Sequence, residues 1–288
     1  MRNASMPDGS TLPLLGLGTW KMGESGRRRT AEVAAVRGAI DMGYRLIDSA
    51  EMYGEGGAET VVGEALAGAL RDGVVRRQDL FIVSKVYPHN ASRRGTLAAC
   101  ARSLQRLQLD HIDLYLLHWR GQHALADTVA AMHELQAQGR IVHWGVSNFD
   151  VDDLQELAAL QAADRTAPGC ACNQVYLSVS ERGPEFDLLP WMRQRGMPLM
   201  AYCPIDQGRA AADPTLQAIA AARGATAAQV ALAWVLSLPG VVAIPKAVHP
   251  QHQRDNLAAA ELVLSADELQ QIDARFPPPR AKSALAMR

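Results

Sequence analysis

Apolar residues along the chain fall into two alternating patterns. Short β-rich runs are LLGLG (14–18), RLIDSA (45–50), LFIVSK (80–85) and IDLYLLH (112–118). They continue with IVHWGVSN (141–148), CNQVYL (172–177), PLMAYC (198–203) and VVAIPK (241–246). Longer stretches lie between them, such as RRTAEVAAVRGAIDMG, SRRGTLAACARSLQRLQ and ADTVAAMHELQAQG. Several of these place apolar residues at i, i+3, i+4 and i+7, the spacing of one helix face. Nearly continuous apolar strands separated by helices predict a parallel sheet buried on both faces.

Eight such units without a break in composition favour a closed (β/α)₈ TIM barrel, one domain over 1–288, over a doubly wound sheet. The opening SMPDGSTLPL carries Asp-Gly between two short runs, a hairpin signal placed to cap the barrel floor. After the eighth strand, HPQHQRDNLAAA and LSADELQQIDARF both read as helices, with Ser265 and Glu268 forming a capping box for the second. The end, PPPRAKSALAMR, reads as a short irregular extension that leaves the strand ends accessible.

Composition narrows the partners. Of 288 residues 48% are hydrophobic, and 29 Lys and Arg balance 30 Asp and Glu, which speaks against nucleic acid or an anionic membrane. The cluster Arg27 to Arg29 reads as a solvated turn opening a helix. Four cysteines stand without a Cys-x-x-Cys pair, and Cys170 with Cys172 supply too few ligands for zinc, so reduced thiols are expected. Neither a signal-peptide run nor a span of roughly twenty apolar residues is present. The expectation is a soluble cytoplasmic protein, monomeric by default.

In barrels of this kind chemistry gathers at the C-terminal strand ends. Polar residues there are Asp48, Lys85, His118, Ser147 with Asn148, Gln174, Tyr202 and Lys246. A metal fits poorly, because no strand offers His-x-His and Lys85 would compete as a cation. Glycoside hydrolysis needs paired carboxylates, and only one strand end carries an acid. No phosphate-binding G-x-x-x-x-G-K-[ST] occurs, and GLGTWKMG is a weak dinucleotide fingerprint. Asp48, Tyr53, Lys85 and His118 form a coherent set. An ammonium beside a phenol favours the phenolate and lowers the phenol's pKa. The carboxylate would hold the ammonium, and the histidine would orient a substrate oxygen. Such a site protonates a carbonyl and needs a hydride donor.

The blocks GYRLIDSAEMYG, SKVYP, IDLYLLHW, GVSNF, NQVYL, MAYCPI and IPKAVHPQHQRDN resemble the aldo-keto reductases from LGLGTW to FPPP. The resemblance is closest to single-domain microbial members that reduce small 2-oxoaldehydes such as methylglyoxal. It implies NADPH-dependent reduction of aldehydes and ketones, with Tyr53 as general acid, Lys85 and Asp48 tuning it, and His118 positioning the carbonyl. Ser147, Asn148 and Gln174 would hold the nicotinamide carboxamide and Tyr202 would stack on the ring. Gly18, Thr19 and Trp20 would line the mouth, with Asp48 also among the nucleotide contacts. Lys246, Ala247, Val248, His252, Asp255 and Asn256 would take the adenine and 2′-phosphate end. At that end the chain departs from the family's NADPH-preferring pattern, with Ala247 for a serine and His252 for an arginine, while Arg254 points elsewhere. NADPH is expected to be preferred over NADH through Lys246 with help from His252. Trp20, Tyr87 and Trp119, with Tyr53 and His118, would wall the substrate pocket. Two other readings stay open: a nucleotide-binding regulatory or redox-sensing subunit with slow turnover, and alcohol oxidation by the same residues.

Overall fold

Residues 2–162 and 168–288 are described here from a computed structural model. The chain opens with an antiparallel hairpin, β1 (Asn3–Ser5) and β2 (Thr11–Pro13), in which Ala4 faces Leu12. Gly9, at φ 85°, takes the left-handed position of the connecting turn, and Asp8 accepts a hydrogen bond from the Ser10 N–H. Ala4 and Leu12 point inward while their neighbours Asn3, Ser5 and Thr11 stay exposed, the period-two pattern of a half-buried ribbon.

Eight parallel strands follow, each succeeded by a helix. The first four units pair β3 (Gly16–Gly18) with α1 (Gly26–Asp41), β4 (Leu46–Asp48) with α2 (Gly57–Arg71), β5 (Phe81–Val86) with α3 (Arg93–Leu107) and β6 (Ile112–Leu117) with α4 (Leu125–Ala137). The next are β7 (Ile141–Ser147) with α5 (Val151–Ala162) and β8 (Asn173–Tyr176) with α6 (Leu188–Arg193). Two helices, α7 (Pro214–Arg223) and α8 (Ala227–Ser237), follow β9 (Leu199–Tyr202). Two more, α9 (Pro250–Ala259) and α10 (Ala266–Arg275), follow β10 (Val241–Ala243). The expected capping box is formed: the Ser265 hydroxyl accepts from the Glu268 N–H, and the Glu268 carboxylate accepts from the Ser265 N–H.

The strands run in sequential order, and the two ends of the sheet meet. Parallel bridges join Leu15 to Ala243 and Gly18 to Lys246, with the Gly18 N–H donating to the Pro245 carbonyl at 3.1 Å. Gly18 makes this closure possible, because a Cβ there would lie 2.7 Å from the Ile244 carbonyl oxygen. Inside the barrel, Leu46, Val83, Leu114, Leu116, Cys172, Met200 and Val242 form one cluster with Ala4, Met6 and Leu12 of the hairpin. The hairpin therefore plugs the floor, and the opposite end is left for chemistry. Outward-facing residues such as Ile47, Ile82, Tyr115 and Val146 pack beneath the helices in a second cluster. Among the described residues no single helix is long and apolar enough to cross a membrane; α7 and α8 reach that length only as a pair bent by 93°.

The segment after Phe276 is irregular, as expected, yet it does not leave the strand ends open. The Lys282 ammonium pairs with Asp187 at 3.1 Å and Asp150 at 3.3 Å, and Met287 and Arg288 return to line the cavity above the barrel. Tertiary ion pairs, invisible to local pattern, decide that path.

Leu12 is fully buried at the floor. Leu12→Ala should cost about 2–5 kcal/mol of stability, read as an earlier urea midpoint. Thr11→Ala, on the exposed face, should stay within about 0.5 kcal/mol. Equal midpoints for the two variants would show that the hairpin does not seal the barrel.

Candidate active site

The C-terminal strand ends bring a carboxylate and an ammonium together inside the barrel mouth. Both oxygens of Asp48, at the end of β4, lie 2.8 Å from the Lys85 Nζ on β5, and both residues are buried. Lys85 also donates to the Ser49 carbonyl at 2.8 Å, and Gln174 Nε2 donates to Asp48 Oδ1 at 2.8 Å. The Asp48 carbonyl accepts from both the N–H and the hydroxyl of Thr19. Each partner of the ion pair is thus satisfied beyond its mate, the condition under which a buried pair is tolerated.

Tyr53 hangs over this pair. It sits in a short turn after β4 where Gly54, Glu55 and Gly56 all take left-handed backbone angles, which swings the tyrosine back across the barrel mouth. Its hydroxyl lies 3.3 Å from Lys85 Nζ, and its ring meets the His118 ring edge-on at 5.7 Å between centroids. His118 follows β6 directly and has no hydrogen-bond partner at Nδ1.

Burial and the Asp48 charge hold the Tyr53 phenol well above its ordinary pKa of 10.0. This reverses the expectation that Lys85 would lower it. Asp48 lies against the same ammonium with both oxygens, so the phenol meets an almost neutral pair and loses its hydration without gaining a net cation. Burial also lowers Lys85, with Asp48 working against that shift. His118 falls well below 6.5, first because it is buried and second because Lys85 repels a proton there. At neutral pH the site therefore presents a protonated phenol and a neutral imidazole, both able to donate to an oxygen.

A cavity of about 690 Å³ runs from Trp20, Tyr53, His118 and Trp119 past Ser147, Asn148, Gln174 and Tyr202 to Lys246, His252, Asp255 and Asn256. Its middle is already ordered by hydrogen bonds. Tyr202 donates its hydroxyl to Asn148 Oδ1 at 2.9 Å, Asn148 Nδ2 reaches the Ser147 hydroxyl at 3.1 Å, and Ser147 donates to the Gln174 carbonyl at 2.8 Å. Asn148 adopts φ 58°, a left-handed value that asparagine accepts more readily than most residues. At the far end α9 begins four residues after Lys246, with Pro250 in its first turn and the N-cap His249 accepting from the Gln251 N–H. Aromatic faces at one end and the Lys246 ammonium at the other suit a long ligand with a flat ring and a phosphate.

A model of the aldo/keto reductase family matches residues 14–275. The chain belongs to that family. It is 49% identical to methylglyoxal reductase YeaE of Escherichia coli strain K12, covering 96% of this chain and 95% of that one. It is 36% identical to a glyoxal reductase of Bacillus subtilis, over 93% of this chain and 90% of the other. An aldo/keto reductase of Klebsiella pneumoniae, solved in complex with NADP and acetate, superposes with a TM-score of 0.91 at 47% identity over 99% of each chain. A structure from the same organism in complex with NADPH gives 0.90, also at 47% identity, over the full length of both.

This aldo/keto reductase gathers most residues expected from sequence around one cavity, but not all. Lys85 lies behind Asp48 and Tyr53, and Thr19 is buried against the Asp48 carbonyl; neither lines the wall. Ala247 is buried and Val248 packs toward the core, so neither side chain faces the cavity. Tyr87 stands behind Trp119, ring to ring at 5.1 Å, rather than on the surface of the pocket. Arg254 points elsewhere, as expected, into Gln251. Missed by the sequence reading were Lys21, Met52 and the loop Cys203 to Gly208, together with Thr226 and Gln229 at the start of α8 and the final Met287 and Arg288. The loop had a signal in Pro204 and Gly208, whereas nothing local brings α8 to the site. Among the described residues no metal-binding group of His, Cys, Asp or Glu occurs.

Because folding depresses the His118 pKa, its contribution to stability is complete above the ordinary value of 6.5 and is lost as pH falls toward the folded value. In NMR the His118 ring should show no titration midpoint at or above its ordinary value of 6.5. A midpoint near 6.5 would mean the imidazole is not buried as described.

Proposed function

We propose that the chain reduces small aldehydes and ketones to alcohols with NADPH, 2-oxoaldehydes such as methylglyoxal among them, with Tyr53 as the general acid. One observation carries this reading: a tyrosine hydroxyl 3.3 Å from a buried, carboxylate-paired ammonium, lining the same cavity as Lys246 and His252. When bound, a reduced nicotinamide nucleotide supplies the hydride. The chain supplies everything else. Tyr202 offers a ring face, and Ser147, Asn148 and Gln174 bring hydroxyl and amide groups to the carboxamide. Held so, the nicotinamide would present one ring face to the substrate.

The carbonyl oxygen sits between the Tyr53 hydroxyl and the His118 imidazole. His118, neutral, donates and orients without placing a second positive charge beside Lys85. As negative charge develops on the oxygen, Tyr53 gives up its proton, and the hydrogen bond that Lys85 already donates to its hydroxyl strengthens toward the phenolate left behind. The high resting pKa of Tyr53 keeps that proton in place until the far more basic alkoxide forms. A regulatory nucleotide-binding role is not favoured, since the relatives are named as reductases and the proton-donating set is intact. The free thiols suit a reducing cytoplasmic setting.

Tyr53→Phe should retain nucleotide binding, measured by fluorescence quenching, and lose about 10²–10⁴ in reduction rate. Near-normal turnover would refute the assignment of the acid. At the far end, an imidazole is charged only when protonated, while a guanidinium grips phosphate with two parallel bonds at any pH. His252→Arg should therefore tighten NADPH severalfold and leave NADH unchanged, and Lys246→Met should narrow the difference between the two nucleotides. Equal affinities of the wild type for NADH and NADPH would contradict this placement of the phosphate.

A further inference from the structure

Glu51 lies two residues before Tyr53, is buried, and plays no part in the chemistry above. A buried carboxylate in a barrel rim needs a reason, and its bonds supply one. Oε1 accepts from the Tyr87 N–H at 2.7 Å and from Asn90 Nδ2 at 3.0 Å. Oε2 receives the Arg102 guanidinium of α3 at 3.3 Å, and the Glu51 N–H donates to the Lys85 carbonyl at 3.4 Å. One side chain thus pins the short turn Pro88–Asn90 to the loop that carries Tyr53.

That turn is the seat of the Trp119 loop. Tyr87 meets the Trp119 ring edge-on at 5.1 Å, and His123 Nε2 lies 3.1 Å from the His89 carbonyl oxygen. Gly121 presses so closely that a Cβ would fall 2.8 Å from the Pro88 side chain. Trp119 faces the cavity beside His118, with ring centroids 4.8 Å apart. We propose that Glu51 is a positioning residue that sets the aromatic wall of the substrate pocket and thereby selects for the group attached to the carbonyl. The physical reason is direct. Without the carboxylate, the Tyr87 N–H and the Asn90 amide lose their shared acceptor, the turn relaxes, and Trp119 loses the support behind it. The nucleotide end, lined by Lys246 and His252, has no contact with this brace.

The test rests on the reductase reading and compares methylglyoxal with phenylglyoxal, which share reacting atoms but differ in whether the substituent reaches the wall. Glu51→Ala should raise KM for phenylglyoxal about 10-fold, while KM for methylglyoxal, kcat and the NADPH Kd move less than about 3-fold. Glu51→Gln, which keeps an oxygen facing the Tyr87 N–H, should stay near the wild type. Glu51→Asp, which keeps the charge but withdraws the acceptor by one methylene, should shift the phenylglyoxal to methylglyoxal ratio in the direction of the Ala variant. A wild-type ratio in either the Ala or the Asp variant overturns the proposal, and the Asp variant decides it if the Ala variant does not fold. A wild type that reduces neither aldehyde would instead overturn the reductase reading itself.

Discussion

Placing an ammonium and a carboxylate side by side in a protein interior is favourable only when both find further partners, because each loses its hydration on the way in. The barrel mouth meets that requirement for Lys85 and Asp48. Lys85 donates to both Asp48 oxygens, the Ser49 carbonyl and the Tyr53 hydroxyl, and Asp48 accepts from Lys85 and Gln174. The ends of four strands have to be in register for this to happen, since Thr19 follows β3, Asp48 ends β4 with Ser49 next to it, Lys85 lies on β5 and Gln174 on β8. The rest of the site inherits its geometry from that lock. Tyr53 accepts a hydrogen bond from the ammonium, burial and then Lys85 keep His118 neutral, and Ser147 and Asn148 hang from the Gln174 strand.

The same sheet divides the work between its two ends. The floor is filled by apolar side chains and covered by the hairpin. Rigid strand ends then hold the polar groups that must be placed most accurately. A loop with positive φ at Cys203, Asp206, Gln207 and Gly208, which no regular element would produce, lines the cavity. Asp206 fixes that loop by accepting from Ser180 and Arg209 and from the Tyr176 hydroxyl. The ion pair therefore sits on strand ends, Tyr53 on the turn that follows β4, and the cover of the cavity on a loop held by side-chain bonds.

Much of this was legible in the chain. The eight apolar runs matched the eight strands to within a few residues because parallel strands buried on both faces leave an unbroken apolar signature. Asp48, Lys85, His118 and Tyr202 were recognisable because a polar residue ending such a run has few other reasons to be there. Tyr53 was harder, being in a loop, and its place above Lys85 depends on three left-handed residues in succession. The limits appear where long-range packing decides. Thr19 and Ala247 flank genuine wall residues but turn inward, Tyr87 supports the wall from behind, and the C-terminal segment folds back because Lys282 finds two carboxylates distant in sequence. The sign of the Tyr53 shift was also missed, because residue types alone do not show how completely Asp48 neutralises Lys85.

The central claim is that burial and the Lys85–Asp48 pair hold Tyr53 and His118 each in one protonation state throughout the neutral range. Single-turnover reduction of methylglyoxal by the protein loaded with NADPH, followed as a function of pH, tests it most directly. With Tyr53 above 10.0 and His118 below 6.5, the rate of the chemical step should be flat between those values. A rate that falls with a midpoint near neutrality would show that one of the two donors titrates there, and would contradict the account.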